Sequence, residues 1–420
     1  MMTSLTMLPQ FYNQGKAIGI TSVCSAHPVV IEATLRFAME HNFQPLIEAT
    51  CNQVNQDGGY TGMTPEKFRE FVESIAKDIG FPIKDIIFGG DHLGPNPWRH
   101  LPPAQAMAKA EAMIAAFAKA GFTKLHLDSS MGCLGEPTAL QDHLTAQRAA
   151  SLAKVAEQNA VDQNRLAYVI GTEVPTPGGA HSTEDDLQIT TPEAVIKTYQ
   201  VHREAFCLAG LQDAFSRVIA LVVQPGVEFN HEQIIHFNPS KAKKLSQTLQ
   251  SFPGLVFEAH STDYQTRAEL SELVQNGFAI LKVGPWLTFA LREALYALDA
   301  IADVLDGFPP QSNLMKTMEA VMLKSPQNWQ PYYKGSHIEL WLQRHFSYSD
   351  RIRYYWPVPE IERAVSALMN RLDGKMIPST LLSQYLPNIE VKGKNFIAKE
   401  ILIAAIQRIL RQYAQACTPS

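Results

Sequence analysis

Over roughly its first 285 residues the chain alternates eight short runs of aliphatic and β-branched residues with segments of helical periodicity. No other feature limits its possible folds as strongly. The runs are AIGITSVC (17–24), PLIEAT (45–50), IIFGGDH (86–92), KLHLDSS (124–130), AYVIGTEV (167–174), VIALVVQPG (218–226), LVFEAHS (255–261) and AILKVGP (279–285). A strand followed by a returning helix is the unit of a parallel sheet. An open doubly wound sheet usually places G-x-G-x-x-G after its first strand, and VCSAHP has no such turn, so eight units predict an α/β fold of the closed (β/α)8 TIM barrel type.

The helices carry readable ends. Thr64 before Pro65 predicts a capped start, Phe68, Phe71, Val72 and Ile75 form its apolar face, and Gly80 marks its stop. Thr191-Pro192 repeats the start signal, and AMAKAEAMIAAFAKAGF (106–122) places Met107, Ala110, Ile114 and Phe117 along one side. Between the seventh and eighth runs only ELSELVQNGF remains, enough for a short helix. Past residue 305 prolines and aromatics become frequent. The expected organisation is a barrel over 1–305 and a helical extension over 306–420 packed on it.

Composition removes several classes of function. The 420 residues include no stretch near the roughly 20 apolar residues that span a bilayer. The start of the chain lacks the basic-then-apolar order of a secretory signal, so a cytoplasmic protein is expected. A net charge of −5 without a Lys/Arg cluster gives nucleic acid nothing to hold. Five scattered cysteines with no C-x-x-C pair indicate neither a disulfide framework nor a cysteine zinc site. Small molecules, protein partners and further copies of the chain remain.

In such a barrel chemistry sits at the carboxyl ends of the strands. Polar residues gather there: Cys24, Ser25 and His27; Glu48 and Thr50; Asp91 and His92; Asp128 to Ser130; Glu173; Gln224 and Glu228; Glu258, His260 and Ser261; Lys282. Glu258 and His260, two apart on a strand, share a face, as do His126 and Asp128. His92, Glu258 and His260 could supply the ligands of a divalent metal such as zinc, with Asp91 as acid/base. The plainer reading is that Asp91 and His92 only satisfy loop backbone groups, and His126 reads better as a hydrogen-bonded interior residue than as a ligand. Gly284 and Thr288 stand where barrels often bind phosphate. The loop CNQVNQDGGYTGM (51–63) suits a substrate, a neighbouring subunit or a structured turn. In SYSDRIRYYWP, Arg351 and Arg353 between aromatics fit an interface or an anion site, and the interface is the preferred reading.

The strings CSAHPVVIEA, IEATCNQVNQDGGYTGMTP, GGDHLGPNPW, HLDSSMGCLGEP, YVIGTEVPTPGGAH, VVQPGVEFNHEQIIHF, FEAHSTDYQT, LKVGPWLTFALREALYAL and SYSDRIRYYWP together resemble the Z subunit of tagatose-1,6-bisphosphate aldolase, over nearly the whole chain. The resemblance implies a role in galactitol or N-acetylgalactosamine catabolism, LPPAQAMA (101–108) leaning to the latter. It implies a non-catalytic supporting subunit, needed for full activity and stability of a separate class II catalytic subunit. An older label, tagatose-6-phosphate kinase, finds no G-x-x-x-x-G-K-[ST] loop to support it.

The family is in turn similar to class II aldolase barrels. That similarity implies Asp91 as the proton-transfer acid, His92 as a metal ligand, and Asp128 and Glu173 at further catalytic positions. Ser261, Lys282, Gly284 and Thr288 are the expected substrate or phosphate contacts. The stretches VVQPGVEF and LVFEAHS lack the remaining zinc histidines of those relatives, with Glu258 and His260 nearest. The expected constellation is therefore broken or rebuilt. The alternative to a supporting subunit is an independent metal-dependent, aldolase-like enzyme acting on a phosphorylated ketose.

Overall fold

The computed structural model describes residues 5–172, 187–390 and 397–418. The eight expected strands form: β1 (Ile20–Cys24), β2 (Leu46–Thr50), β3 (Ile87–Leu93), β4 (Lys124–Leu127), β5 (Ala167–Ile170), β6 (Val218–Val223), β7 (Val256–Ala259) and β8 (Phe278–Val283). Each pairs in parallel with its neighbours, and β8 closes on β1 through Ile20↔Ile280 and Ser22↔Lys282. The predicted (β/α)8 barrel is the observed fold.

The helix signals act as expected. Thr64 Oγ1 accepts a hydrogen bond from Lys67 N, Pro65 opens the helix to Ile79, and Gly80 leaves it with φ +74°. Thr191 caps Pro192–Leu208 in the same way. The alanine-rich helix starts earlier than its pattern suggested, at Pro103, and ends at Lys119. The helix after β7, Arg267–Gln275, is short and held by a Thr266/Glu269 capping box. The last helix, Ala398–Cys417, packs against it and against Pro28–His41 and Pro285–Leu305. Gly19 N–H, at the foot of β1, donates to Cys417 O at 2.9 Å. The residues that follow the barrel in sequence thus help complete its outer wall.

Inside the barrel, side-chain chemistry changes with height. Ile20, Leu46, Ile87, Val169, Val256 and Ile280 form a small apolar cluster, stoppered by Leu5 and Leu8. Two residues further along five of the same strands stand Ser22, Glu48, Gly89, Glu258 and Lys282, and the period of two points them to the same interior. Gly89 is required there, since a Cβ would lie 2.6 Å from Glu48 Cγ.

Among the described residues no helix is long and apolar enough to cross a membrane.

Candidate active site

The middle of the barrel holds a lattice of fully buried charges. Lys124 Nζ lies 2.6 Å from Glu48 Oε1 and 2.7 Å from Glu258 Oε2. Lys282 Nζ lies 2.6 Å from Glu48 Oε2, 2.8 Å from Asp91 Oδ1 and 3.5 Å from Glu258 Oε1. Ser22 donates to Glu48 Oε1 at 2.7 Å. Isolated charges this deep would be strongly unfavourable, and alternation of sign is what makes the arrangement tenable. Burial opposes the charge on Lys282, yet Asp91, Cys24, Glu258 and Glu48 raise its pKa well above the usual lysine value. Glu258 is likewise held well below the usual carboxylate range, against burial, by Lys124, Lys282 and His260.

One level higher stand three imidazoles. The rings of His92, His126 and His260 lie 4.8 to 5.2 Å apart, centre to centre. His260 Nε2 sits 2.9 Å from Glu258 Oε1, and His126 Nδ1 sits 2.9 Å from Asp91 Oδ1. Among the described residues, the buried His126 Nε2 has no hydrogen-bond partner. Asp91, His126, Glu258 and His260 each bring one donor atom, all within 4.8 Å of one another. Two imidazole nitrogens and two carboxylate oxygens suit a divalent transition metal. Charge fits as well: the carboxylates Glu48, Asp91, Asp128 and Glu258 against the ammonium groups Lys124 and Lys282 leave two negative charges before any histidine is protonated. The residues present therefore fit a metal.

His92 has a different partner. Its Nδ1 lies 2.8 Å from Asp128 Oδ2, while Asp128 Oδ1 accepts from Ser130 N and Ser130 Oγ. With Nδ1–H given to the carboxylate, Nε2 is left to accept a proton. Burial opposes both charges, but Asp91 and Asp128 raise the pKa of His92, and His92 lowers that of Asp128. The backbone of His92 is left-handed, φ 49°, as is that of Ser261 at φ 54°. Both residues line the cavity at the mouth, and such strain collects at functional sites.

That cavity is also lined by Asp91, His260, Lys282, Tyr60, Tyr354 and Arg353. Tyr354 and Arg353 come from the turn Arg351–Tyr355, so the segment read as an interface folds over the barrel of its own chain. Its neighbour Arg351 packs instead over the ring of Tyr332, 3.3 Å from its centre.

Several expectations change. His92 stands outside the four-donor group and is fixed by Asp128, because its neighbour Asp91 takes the inward position on β3. His126 is the buried, hydrogen-bonded interior residue that was expected, and it also belongs to that group. Asp91 is enclosed by Lys282 and His126 and is a member of the donor set, not a free acid beside it. Lys282 is enclosed by three carboxylates, and this leaves it unsuited to hold phosphate. The Gly284 and Trp286 N–H groups both donate to Asp263 Oδ1, at 3.1 and 2.8 Å, and Thr288 Oγ1 donates to Asp350. The backbone phosphate cradle expected at Gly284 and Thr288 is therefore taken by the chain's own carboxylates. Glu173 lies outside the described residues. Lys124 was not anticipated, since a lysine opening an apolar run reads as a solvent-facing flank.

Residues 5–418 match the family described as D-tagatose-1,6-bisphosphate aldolase subunit GatZ/KbaZ-like. Over 407 residues the chain is 54% identical to an Agrobacterium fabrum protein named D-tagatose 6-phosphate 4-epimerase, covering 96% of this chain and 95% of that one. The crystal structure of a probable tagatose 6 phosphate kinase from Sinorhizobium meliloti 1021 is 56% identical and aligns with a TM-score of 0.87, covering 95% of this chain and 100% of the other. With the match extending over the barrel and the helices beyond it, the chain belongs to the GatZ/KbaZ-like family of D-tagatose-1,6-bisphosphate aldolase subunits.

Proposed function

We propose that this chain is itself an enzyme that inverts C4 of a ketohexose 6-phosphate, interconverting D-tagatose 6-phosphate and D-fructose 6-phosphate. The observation that carries the reading is the His92–Asp128 pair beside an intact donor group whose excess negative charge suits a cation, at the floor of a cavity. A barrel kept only as a docking partner has no use for a lattice of buried charges. The relative named a 4-epimerase supports the choice of reaction.

C4 of a 2-ketose is one carbon too far from the carbonyl for its C–H to be acidic, whereas the C3–C4 bond can be broken by aldol chemistry. His92 Nε2 accepts the proton of the C4 hydroxyl. The C3–C4 electron pair moves into the C1–C3 fragment as an enediolate, and C4–C6 becomes an aldehyde. The aldehyde turns over, C3 attacks its opposite face, and His92 returns the proton to O4. Asp128 keeps the imidazole in the accepting tautomer throughout. A divalent cation held by Asp91, His126, Glu258 and His260 would polarise the ketose carbonyl. The Lys282 ammonium, fixed by Glu48, holds the Asp91 carboxylate in its donor position. Tyr60 and Tyr354, rings 4.9 Å apart, help cover the cavity so that the two fragments recombine. This is an aldolase's bond cleavage followed by its reversal, in keeping with the family.

The test is to supply the purified chain and a divalent metal with D-tagatose 6-phosphate and measure D-fructose 6-phosphate. Conversion strongly slowed by Asp128→Asn is expected, and the reading fails if the wild-type chain is inert. The family description favours a second reading, a subunit that supports a class II aldolase. It predicts that adding this chain raises the melting temperature and the bisphosphate-cleaving rate of the catalytic partner.

A further inference from the structure

We propose that Arg353, carried to the barrel mouth from beyond the barrel, is the anchor for the phosphate monoester of the substrate. This rests on the reading above that the substrate is a phosphorylated ketose.

A phosphate dianion needs donors that are not already engaged. Lys124 and Lys282 are locked to carboxylates in the lattice. The two helix starts that flank the mouth are satisfied internally. At Pro285–Leu305, Asp263 takes the Gly284 and Trp286 N–H groups. At Pro28–His41, His27 Nδ1 takes the Val29 N–H and Ser25 Oγ the His27 N–H. Neither offers the open set of amides that usually cradles phosphate.

Arg353 differs from all of these. Among the described residues no carboxylate lies within salt-bridge distance of it. Its Nη1 donates to Ser349 O and Asp350 O, and its Nη2 donates to Tyr354 Oη at 3.0 Å. A guanidinium has five N–H donors, so after these three bonds two remain, the number a bidentate phosphate contact requires. The carbonyl bonds and the Tyr354 ring, 4.5 Å from the guanidinium carbon, hold the group in place before a ligand arrives.

Position agrees with chemistry. Arg353 lines the mouth cavity together with Asp91, His92 and Lys282. It also lines an adjoining chamber of about 540 Å³ bordered by Ser25, Thr61 and Trp356. A ketose phosphate whose reacting carbons lie at His92 can thus place its charged end against Arg353, with the chamber giving it room. The residues beyond the barrel then decide which sugars are accepted.

The experiment measures calorimetric binding of D-tagatose 6-phosphate, D-tagatose and inorganic phosphate to wild type, Arg353→Gln and Arg353→Lys, with kcat and KM on both sugars. Melting curves identify folded variants. Arg353→Gln is expected to reduce the preference for the phosphorylated sugar by ~30-fold or more, the scale of losing one partner of a charge-assisted pair. Arg353→Lys, which keeps the charge without the fork, recovers part of it. An unchanged preference in folded Arg353→Gln overturns the proposal. So does inorganic phosphate that binds through Arg353 without competing with D-tagatose 6-phosphate, which would make this a site for free anions. Arg353-dependent binding with no turnover by wild type would sink the epimerase reading alone. Turnover with an unaltered preference would sink only the role of Arg353.

Discussion

The lower and upper halves of the barrel interior are built on the same strands and solve opposite problems. Below, Ile20, Leu46, Ile87, Val169, Val256 and Ile280 fill the space with shape alone, and nothing there needs a particular partner. Above, Glu48, Lys124, Glu258 and Lys282 occupy equally dry space and are tolerable only because each touches an opposite charge. An apolar interior can be repacked at modest cost, but a buried ionic one fails when any member is removed. The upper half therefore depends on each of its partners, and the lower half gives it a rigid base.

The sharpest way to break this contrast is at the top. Asp128→Asn removes the carboxylate that fixes His92, and turnover should fall about a hundred- to ten-thousand-fold with secondary structure retained. An unchanged kcat would remove His92 from the mechanism. Next, Lys124→Met leaves Glu48 and Glu258 facing one fewer cation and should cost about 3–5 kcal/mol in denaturant unfolding. A variant as stable as wild type would mean that the lattice is not held together electrostatically. In the lower half, Leu46→Ala should cost about 2–5 kcal/mol through its cavity while kcat of the folded fraction is kept. Loss of kcat there would show that the two halves are coupled.

The last expected effect is one of pH. Asp350, held in the left-handed region at φ 46°, receives the Thr288 hydroxyl and faces Arg292, Arg353 and Glu293. Burial lifts its pKa to about 7 from 3.8, despite Thr288 and the arginines. Between these values the folded chain keeps a proton that the unfolded chain releases, so this carboxyl makes stability fall as pH rises from about 4 to about 7. Asp350→Asn should flatten that slope in melting curves taken across the interval. An unaltered slope would show that Asp350 is not its source.

Much of the fold is readable in the residues. The eight apolar runs became the eight strands, most of them shorter than the run because ladder hydrogen bonding stops before the hydrophobic pattern does, while β3 extends one residue further to Leu93 and β8 starts one residue earlier at Phe278. Thr64, Gly80 and Thr191 set helix ends through local bonds that need no distant partner. The candidate site is legible in part. Strand-end position marked Asp91, His92 and His260, which line the mouth cavity, and Asp128 and Glu258, which bond to two of them from below it, since alternation and barrel polarity follow from backbone geometry alone. Their roles were not legible. Whether His92 or His126 joins the donor group depends on the backbone turn at the end of β3, where His92 goes left-handed and swings its ring to Asp128.

What the sequence determined by itself is a parallel barrel with polar strand tips, because hydrophobic period, helix caps and turn residues act over a few neighbouring positions. What only the tertiary structure decided is who meets whom. Closing β8 onto β1, which pairs in turn with β2, brings Lys282 to Glu48, 234 residues away in sequence, and the turn Arg351–Tyr355 brings Arg353 over a mouth built by strands far earlier in the chain. Charge pairing acts through space at 3 to 4 Å. No pattern of neighbouring residues can report it until the barrel has closed.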